Sequence, residues 1–402
     1  MGSVGGKRSR AGSERLSAPR PPLDLAILLV HYRTPELLVG ATRALLQDLE
    51  AAALRAEIVV IDNGSNVADR EAWSGLPLRR IDPGTNLGYA GGVRCGVDAT
   101  VAPCIVAMNP DVVVETGCLP RLLRELQQGA DAAGPQFFWD SQFRLRLPPT
   151  ELRTAVAELR AAAARRFAGL PWLTGAARRA WRRHARRDWE ATLPFASTAL
   201  SGALLAFRRD AWRNIGPFDE GYRLYFEETD WLLRLQAAGR ESRFVPAARA
   251  VHLFAQSSVR EPASTQWFAD AERRFRRRHF GALLGGLLAA LSSRSARAQV
   301  ATRAPGSAWS PKSPPEPMLT ADELFGDEAA SWVEVALSAA GFPAAAERLD
   351  RRGPPSGGWK FPDEIRHRLP PGEIWLRAVT AGGRESSPWR LPPTNAAEPV
   401  RP

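Results

Sequence analysis

The chain has 402 residues, 45% of them hydrophobic and 24% charged, with 54 Lys and Arg against 43 Asp and Glu. That composition excludes a wholly disordered or fibrous protein, and the length admits two or three domains, each able to bury its own core. Three cysteines, Cys95, Cys104 and Cys118, occur in no metal-ligand spacing, so neither a disulfide framework nor a zinc site is expected and a reducing cytoplasm fits.

The net charge of +11 is unevenly placed. Residues 151–190 carry ten arginines against four acids, and Glu272-Arg-Arg-Phe-Arg-Arg-Arg-His279 is a basic run. Such surfaces attract nucleotides, lipid headgroups or other anions, although a solvated helix face accounts for them as well. Leu170, Trp172, Leu173, Trp181 and Trp189 lie among the arginines of the first segment, which suits a helix resting on an anionic membrane surface. The basic run leads into apolar residues 282–291, a stretch too short to span a bilayer. Nucleic acid is not an expected partner, because no recognisable module interleaves aromatic with basic residues.

In chain order, residues 1–22 are polar, basic and Gly/Ser-rich, and are expected to be disordered. Residues 25–30 form an apolar run and residues 36–49 have helical spacing, which predicts strand, loop, helix. A second buried-type strand over 57–61 ends in Asp62-Asn63-Gly64-Ser65, and a third over 103–108 ends in Asn109-Pro110-Asp111. Three such strands separated by helical or Gly-rich segments predict an α/β domain with a mostly parallel sheet flanked by helices. Further on, a short helix is predicted over 209–215, a helix over 229–238 with Trp231, Leu232 and Leu235 on one face, and strands at 244–245 and 251–252. Residues 304–317 hold five prolines and read as a linker within 304–319. Alternation at 331–337 and 373–379 predicts half-buried strands of a small all-β, sandwich-like module over 320–395.

Asp62, Asp111, Glu227, Glu228, Asp230 and His252 fall at strand ends, in turns or at a helix start, where a parallel sheet gathers its ligands. Carboxylates there suit Mg²⁺ or Mn²⁺, hard cations that bridge to phosphate oxygens. Asn-Pro-Asp is also a common turn former.

The series Val30-His-Tyr-Arg-Thr-Pro35, Ile61-Asp-Asn-Gly-Ser65, Asn86-Leu-Gly-Tyr-Ala-Gly-Gly92, Met108-Asn-Pro-Asp111, Ser201-Gly-Ala203, Ile215-Gly-Pro-Phe-Asp-Glu220, Tyr225-Phe-Glu-Glu-Thr-Asp230 and Val251-His252 resembles the family two glycosyltransferases of GT-A fold. It is most similar to their rhamnosyltransferase-like branch, in order over about residues 23–285, which implies a GT-A domain over 23–303. The C-terminal module loosely resembles a fibronectin type III-like sandwich. The resemblance implies an inverting, metal-dependent hexosyltransferase that moves rhamnose or a hexose from a dTDP- or UDP-sugar to a polysaccharide or lipid-linked glycan; the Arg-rich segment and the basic run would place it at the inner face of a membrane. It implies donor and nucleotide contacts from His31, Arg33, Asp62, Asn63, Asn86, Gly88, Gly91, Gly92 and Asn109. Asp111 and His252 correspond to the metal ligands. Ser201, Gly202, Asp219, Glu227 and Asp230 correspond to the acceptor side, and Glu228 stands at the general-base position. There the family usually has Asp, and the longer Glu changes the reach of the carboxylate. The competing expectation is an inactive carbohydrate-binding or scaffold protein descended from such enzymes; turnover of a donor separates the two. Trp212 and Trp231 are assigned to packing.

Overall fold

The computed structural model describes residues 23–151, 153–166, 171–253, 264–301, 330–338, 340–349, 359–366, 369 and 373–391. The N-terminal segment 1–22 and the linker 304–319 lie outside the described residues. The first half of the fold runs β1 (Leu25–His31), α1 (Pro35–Ala51), β2 (Ala56–Asp62), α2 (Val67–Trp73), β3 (Arg79–Ile81), α3 (Gly88–Asp98) and β4 (Cys104–Met108). Strand β1 pairs in parallel with β2 on one side and β4 on the other, and β3 extends the sheet beyond β2.

Because successive strand residues point to opposite faces, β1 feeds two cores at once. Leu25, Ile27 and Leu29 pack with Leu38, Ala41 and Leu45 of α1, whereas Ala26, Leu28 and Val30 pack with Ala90, Val93 and Val97 of α3. All seven residues of β1 are buried, which explains why its sequence is continuously apolar rather than alternating.

The chain continues through β5 (Val112–Val114), α4 (Cys118–Gln127), β6 (Ala132–Phe138), β7 (Leu145–Arg146), α5 (Ala155–Arg166), α6 (Pro171–Trp189), β8 (Phe195–Ala196), β9 (Leu204–Arg208), α7 (Arg209–Ile215), α8 (Glu227–Ala237) and β10 (Ser242–His252). Strand β9 lies antiparallel between β4 and β6. The two short strands expected at 244–245 and 251–252 are one strand, β10, parallel to β6 with an irregularity between Val245 and Arg249. Trp212, Phe218 and Trp231 stack around Phe207 with centroids 5.0–6.3 Å apart, a packing role for both tryptophans.

Helix α9 (Ser264–Ala301) breaks at Gly281, where φ is 76°. It is followed by β11 (Ala330–Ala336), β12 (Ala344–Arg348), α10 (Asp363–Arg366), β13 (Ile374–Thr380) and β14 (Trp389–Leu391). The C-terminal strands are therefore present, but among the described residues they form no second, facing sheet. They run antiparallel in the order β12-β11-β13-β14 and join the domain sheet through β7, with Ala346 opposite Arg146. A helix takes the place of the second sandwich layer: Trp189 of α6 stacks on Trp332 at 5.5 Å, and Arg182 reaches Glu334 with both side chains buried.

Candidate active site

The parallel strands β1, β2 and β4 all end on the same edge, so the polar residues after them converge. At the end of β2, Asn63 donates from Nδ2 to the Gly88 carbonyl (3.0 Å) and accepts the Leu87 amide (3.3 Å), tying this edge to the start of α3. Asn86 accepts the Gly88 amide at 2.9 Å. Gly88 has φ of +71°, and a Cβ there would stand 2.7 Å from the Arg223 carbonyl oxygen, so only glycine fits. Asn63, Asn86, Gly88, Tyr89 and Asn109 line one pocket of about 120 Å³, closed on the far side by Arg223 and Trp267. Arg33 lies exposed beside it, with its guanidinium 5.1 Å from the Tyr32 ring.

Four of the expected donor-side residues, His31, Asp62, Gly91 and Gly92, are enclosed in the fold. His31 is fully buried, its Nε2 taking the Thr34 amide at 3.1 Å and its Nδ1 bonded to Ser65 Oγ at 2.9 Å, so it shapes the turn from within. Burial holds its imidazole below the usual histidine range against the raising effect of Asp62. Asp62 is also enclosed. Burial would raise its carboxyl, but hydrogen bonds from Ser65, Arg70 and the Gly64 amide outweigh that and hold it low, with Arg70 Nε at 2.8 Å. Gly91 and Gly92 lie inside α3: a Cβ on Gly92 would meet Val30 at 2.8 Å, so this glycine lets the helix sit close on β1, and one on Gly91 would meet Leu87 at 3.0 Å and Glu220 at 3.6 Å.

Asp111 follows β4 and is 4% exposed, and its Oδ1 is buried without a hydrogen-bond partner, 3.5 Å from Nε2 of His252. The Leu253 amide donates to the Asp111 carbonyl at 2.9 Å, fixing the two segments together. An unpaired carboxylate oxygen beside an imidazole nitrogen is a donor pair suited to a divalent ion. Among the described residues no cluster of three or more His, Cys, Asp or Glu could hold a metal. The fit is therefore for an ion whose remaining ligands come from elsewhere, as for Mg²⁺ or Mn²⁺ shared with a diphosphate.

Tyr89 connects this corner to the acceptor side. Its hydroxyl donates to the Gly202 carbonyl at 2.6 Å, and burial, then the charges of Glu227, Glu228 and Asp111, holds its phenol well above the usual range. Gly202 in turn abuts Glu228: a Cβ on it would lie 3.0 Å from Glu228 Cδ. Tyr225 and Phe226, at φ of 73° and 71°, turn the chain sharply into α8, so that Glu227 and Glu228 open its first turn. Two successive non-glycine residues in that region are strained, and packing of Phe226 against Phe275 and Phe268 holds them there.

The two glutamates have different surroundings. Glu228 is partly accessible and lines a cleft of about 520 Å³ together with Ser201, His252, Tyr225, Phe268 and Arg153. Burial raises its carboxyl, while the backbone amides of Glu228, Gly202 and Thr229 act in the opposite direction. Glu227 is 4% exposed with Oε2 unpartnered, and burial, then the neighbouring Glu228 charge, raises its carboxyl well above the usual range. Both carboxyls are thus raised, and Glu228 is the one that reaches the cleft.

Two other acceptor-side expectations fall elsewhere. Asp219 pairs with Arg274 and Arg278 at 2.8 and 2.6 Å, and fully buried Asp230 pairs with Arg234, Arg278 and His279 at 2.8, 3.0 and 2.9 Å. Both fasten α9 to the fold. The basic segments turn inward for the same reason. Arg276 pairs with Glu158 and Glu272, while Arg178 and Arg182 reach Glu385. Sequence reasoning did not single out Gln136, Arg153 and Asp188, which also line the large cleft. An Arg-rich run hid Asp188 and Arg153, and nothing in the sequence around Gln136 distinguishes it.

Residues 26–210 match the model of glycosyl transferase family 2, a match that supports glycosyl transfer as the function. The chain is similar to N-acetylglucosaminyl-diphospho-decaprenol L-rhamnosyltransferase of Mycobacterium tuberculosis, with 29% identity over 223 residues, 52% of this chain and 69% of the relative. Among solved structures, residues 1–349 of S. aureus TarS align with 11% identity and a TM-score of 0.42, covering 70% of this chain and 74% of that one. A mannosyltransferase from Pyrobaculum calidifontis in complex with GDP-Man and Mn²⁺ aligns with 13% identity and a TM-score of 0.43, covering 72% and 78%.

Proposed function

We propose that this chain is an inverting family two glycosyltransferase that transfers rhamnose or a hexose from a nucleotide-diphospho sugar to a hydroxyl of a glycan or lipid-linked acceptor. The observation that carries the reading is the placement of Glu228, a partly accessible carboxylate lining the large cleft together with His252, whose Nε2 stands 3.5 Å from Asp111 Oδ1. In the reaction, the acceptor O–H proton passes to the Glu228 carboxylate as that oxygen bonds to the anomeric carbon. The bond from that carbon to the diphosphate oxygen breaks, and its electron pair leaves with the nucleoside diphosphate. The donor pocket is formed by Asn63, Asn86, Gly88 and Asn109; on the acceptor side Ser201 lines the cleft and Gly202 backs Glu228. Asp111 and His252 would hold a divalent ion, which supplies positive charge where the leaving diphosphate develops negative charge.

The relative named above acts, by its name, on a diphospho-decaprenol-linked N-acetylglucosamine, and a rhamnosyl donor with an acceptor of that kind is the first pair to test. Incubation of the protein with Mn²⁺, dTDP-rhamnose or UDP-hexoses, and N-acetylglucosaminyl diphosphate on a short alkyl chain should yield a disaccharide product by mass spectrometry. The new bond should be of opposite anomeric configuration to the donor, and Glu228→Gln should abolish it. Glycan binding without any product would favour the inactive scaffold.

Peripheral attachment to an anionic membrane is a second reading, favoured by Trp172, Leu283 and Leu287, which are 69, 93 and 51% exposed. Among the described residues no helix is long and apolar enough to cross a membrane. Flotation with anionic liposomes at low salt tests it; a protein that stays at the bottom of the gradient ends that reading.

A further inference from the structure

The cleft that holds Glu228 mixes prolines, aromatic and aliphatic side chains with polar ones, among them Arg153, Ser201, Thr229 and His252. Two further polar groups stand out, on different elements. Gln136 of β6 is 6% exposed and Asp188 of α6 is 3% exposed, and Gln136 Oε1 and Asp188 Oδ1 are both buried without a hydrogen-bond partner. The amide of Gln136 is oriented by its Nε2 donating to the Phe137 carbonyl at 2.9 Å, which leaves the oxygen as the unpaired atom. Helix α6 is held in place over β7 by Trp189 Nε1 on the Leu147 carbonyl (3.0 Å) and by the His184 ring on the Thr150 carbonyl (3.1 Å), so Asp188 sits on a fixed wall.

Buried acceptor oxygens are almost always paired, and two unpaired ones lining the same cleft call for a ligand that brings donors. A sugar ring, apolar on its faces with hydroxyl donors at its rim, matches a cleft of mixed apolar and polar walls that holds fixed acceptors. We propose that Asp188 and Gln136 form an acceptor-recognition subsite that takes hydroxyl protons of the acceptor sugar and thereby orients its reacting hydroxyl toward Glu228. The inference rests on reading this cleft as the acceptor side of a glycosyl transfer. Burial pushes the Asp188 carboxyl up to about 6, so above that pH it is a carboxylate that accepts more strongly than the Gln136 amide, and its loss should be felt more.

The test is saturation-transfer NMR with the methyl glycosides of glucose, galactose, mannose, N-acetylglucosamine and rhamnose, beside calorimetry with dTDP and UDP in Mn²⁺. At least one glycoside should bind the wild type. Asp188→Asn should weaken it at least tenfold and Gln136→Leu about fivefold, with nucleotide binding within twofold of wild type in both variants. Retained nucleotide binding also reports that the variants fold; if Asp188→Asn loses both ligands, Gln136→Leu decides alone. Glycoside affinity unchanged in the variants, or no glycoside binding to a wild type that binds nucleotide, overturns the subsite and leaves the transferase reading standing. A wild type that binds no nucleotide overturns both.

Discussion

Replacing Gly202 by alanine should damage the reaction without damaging the fold. A methyl group on Gly202 would lie 3.0 Å from both Cγ and Cδ of Glu228 and 3.3 Å from its Cβ, where ordinary contact needs several tenths of an ångström more. The Cβ of Glu228 is fixed by the first turn of α8, and the Gly202 segment is held by the Tyr89 hydroxyl on its carbonyl at 2.6 Å. The carboxyl end of Glu228 must therefore give way, by rotating out of its preferred rotamer at a cost of about 1 kcal/mol. A base displaced by up to ~1 Å loses up to ~100-fold in rate. Release of nucleoside diphosphate in the presence of donor and acceptor should show kcat lower by ~10- to 100-fold, with donor KM within about twofold because the donor pocket is untouched. Adding Tyr89→Phe frees the segment to retreat, so the double variant should lose less than the product of the two single losses. A Gly202→Ala enzyme with kcat within twofold of wild type would refute the claim that this contact positions Glu228.

The two glutamates should separate on substitution. Glu227→Gln copies the protonated form that burial and the Glu228 charge favour, so kcat should stay within about threefold, while Glu228→Gln should cost ~10³-fold or more; equal losses would contradict the assignment. Because the Glu228 carboxyl is raised, its base form appears only as pH climbs past the ordinary glutamate range, so a kcat profile should rise with pH on its acid limb above that range. A limb in the ordinary range or below it would show that Glu228 does not titrate in catalysis. Arg182→Ala would strand buried Glu334 and remove one of two arginines on Glu385, so unfolding should come about 3–5 kcal/mol earlier in denaturant titrations. A loss below 1 kcal/mol would mean that α6 does not hold the C-terminal strands.

The sequence made some parts of this site easy to read and concealed others for identifiable reasons. Strands β1, β2 and β4 were legible because buried parallel strands are continuous apolar runs, and the polar residues ending them, Asn63, Asn109 and Asp111, follow directly. The entry to α8 was legible from its acids, but not which acid does what. Asp230 and Asp219 look like Glu228 in sequence, yet their partners Arg274, Arg278 and His279 arrive from a helix some fifty residues later, and only the fold joins them. The glycines after Asn86 announce a close approach without saying to what; for Gly92 it is Val30 of β1. Alternation likewise gave the C-terminal strands their period but not their neighbours, so their junction with β7 and their cover by α6 could not be foreseen. Arg178 and Arg182 of α6 read as a surface and prove to be a clamp, because their acids lie about 150 to 200 residues away.

The central claim, that the end of β4 and the end of β10 form a metal-dependent site for a nucleotide-diphospho sugar, is tested most directly by calorimetric titration with dTDP, UDP and GDP. Each is measured with and without Mn²⁺, on the wild type and on Asp111→Ala. The account predicts that one of the pyrimidine diphosphates binds with Mn²⁺ present, at least tenfold more weakly without it, and not measurably to the variant. Binding of no nucleotide under any of these conditions, or binding indifferent to both Mn²⁺ and Asp111, would contradict it.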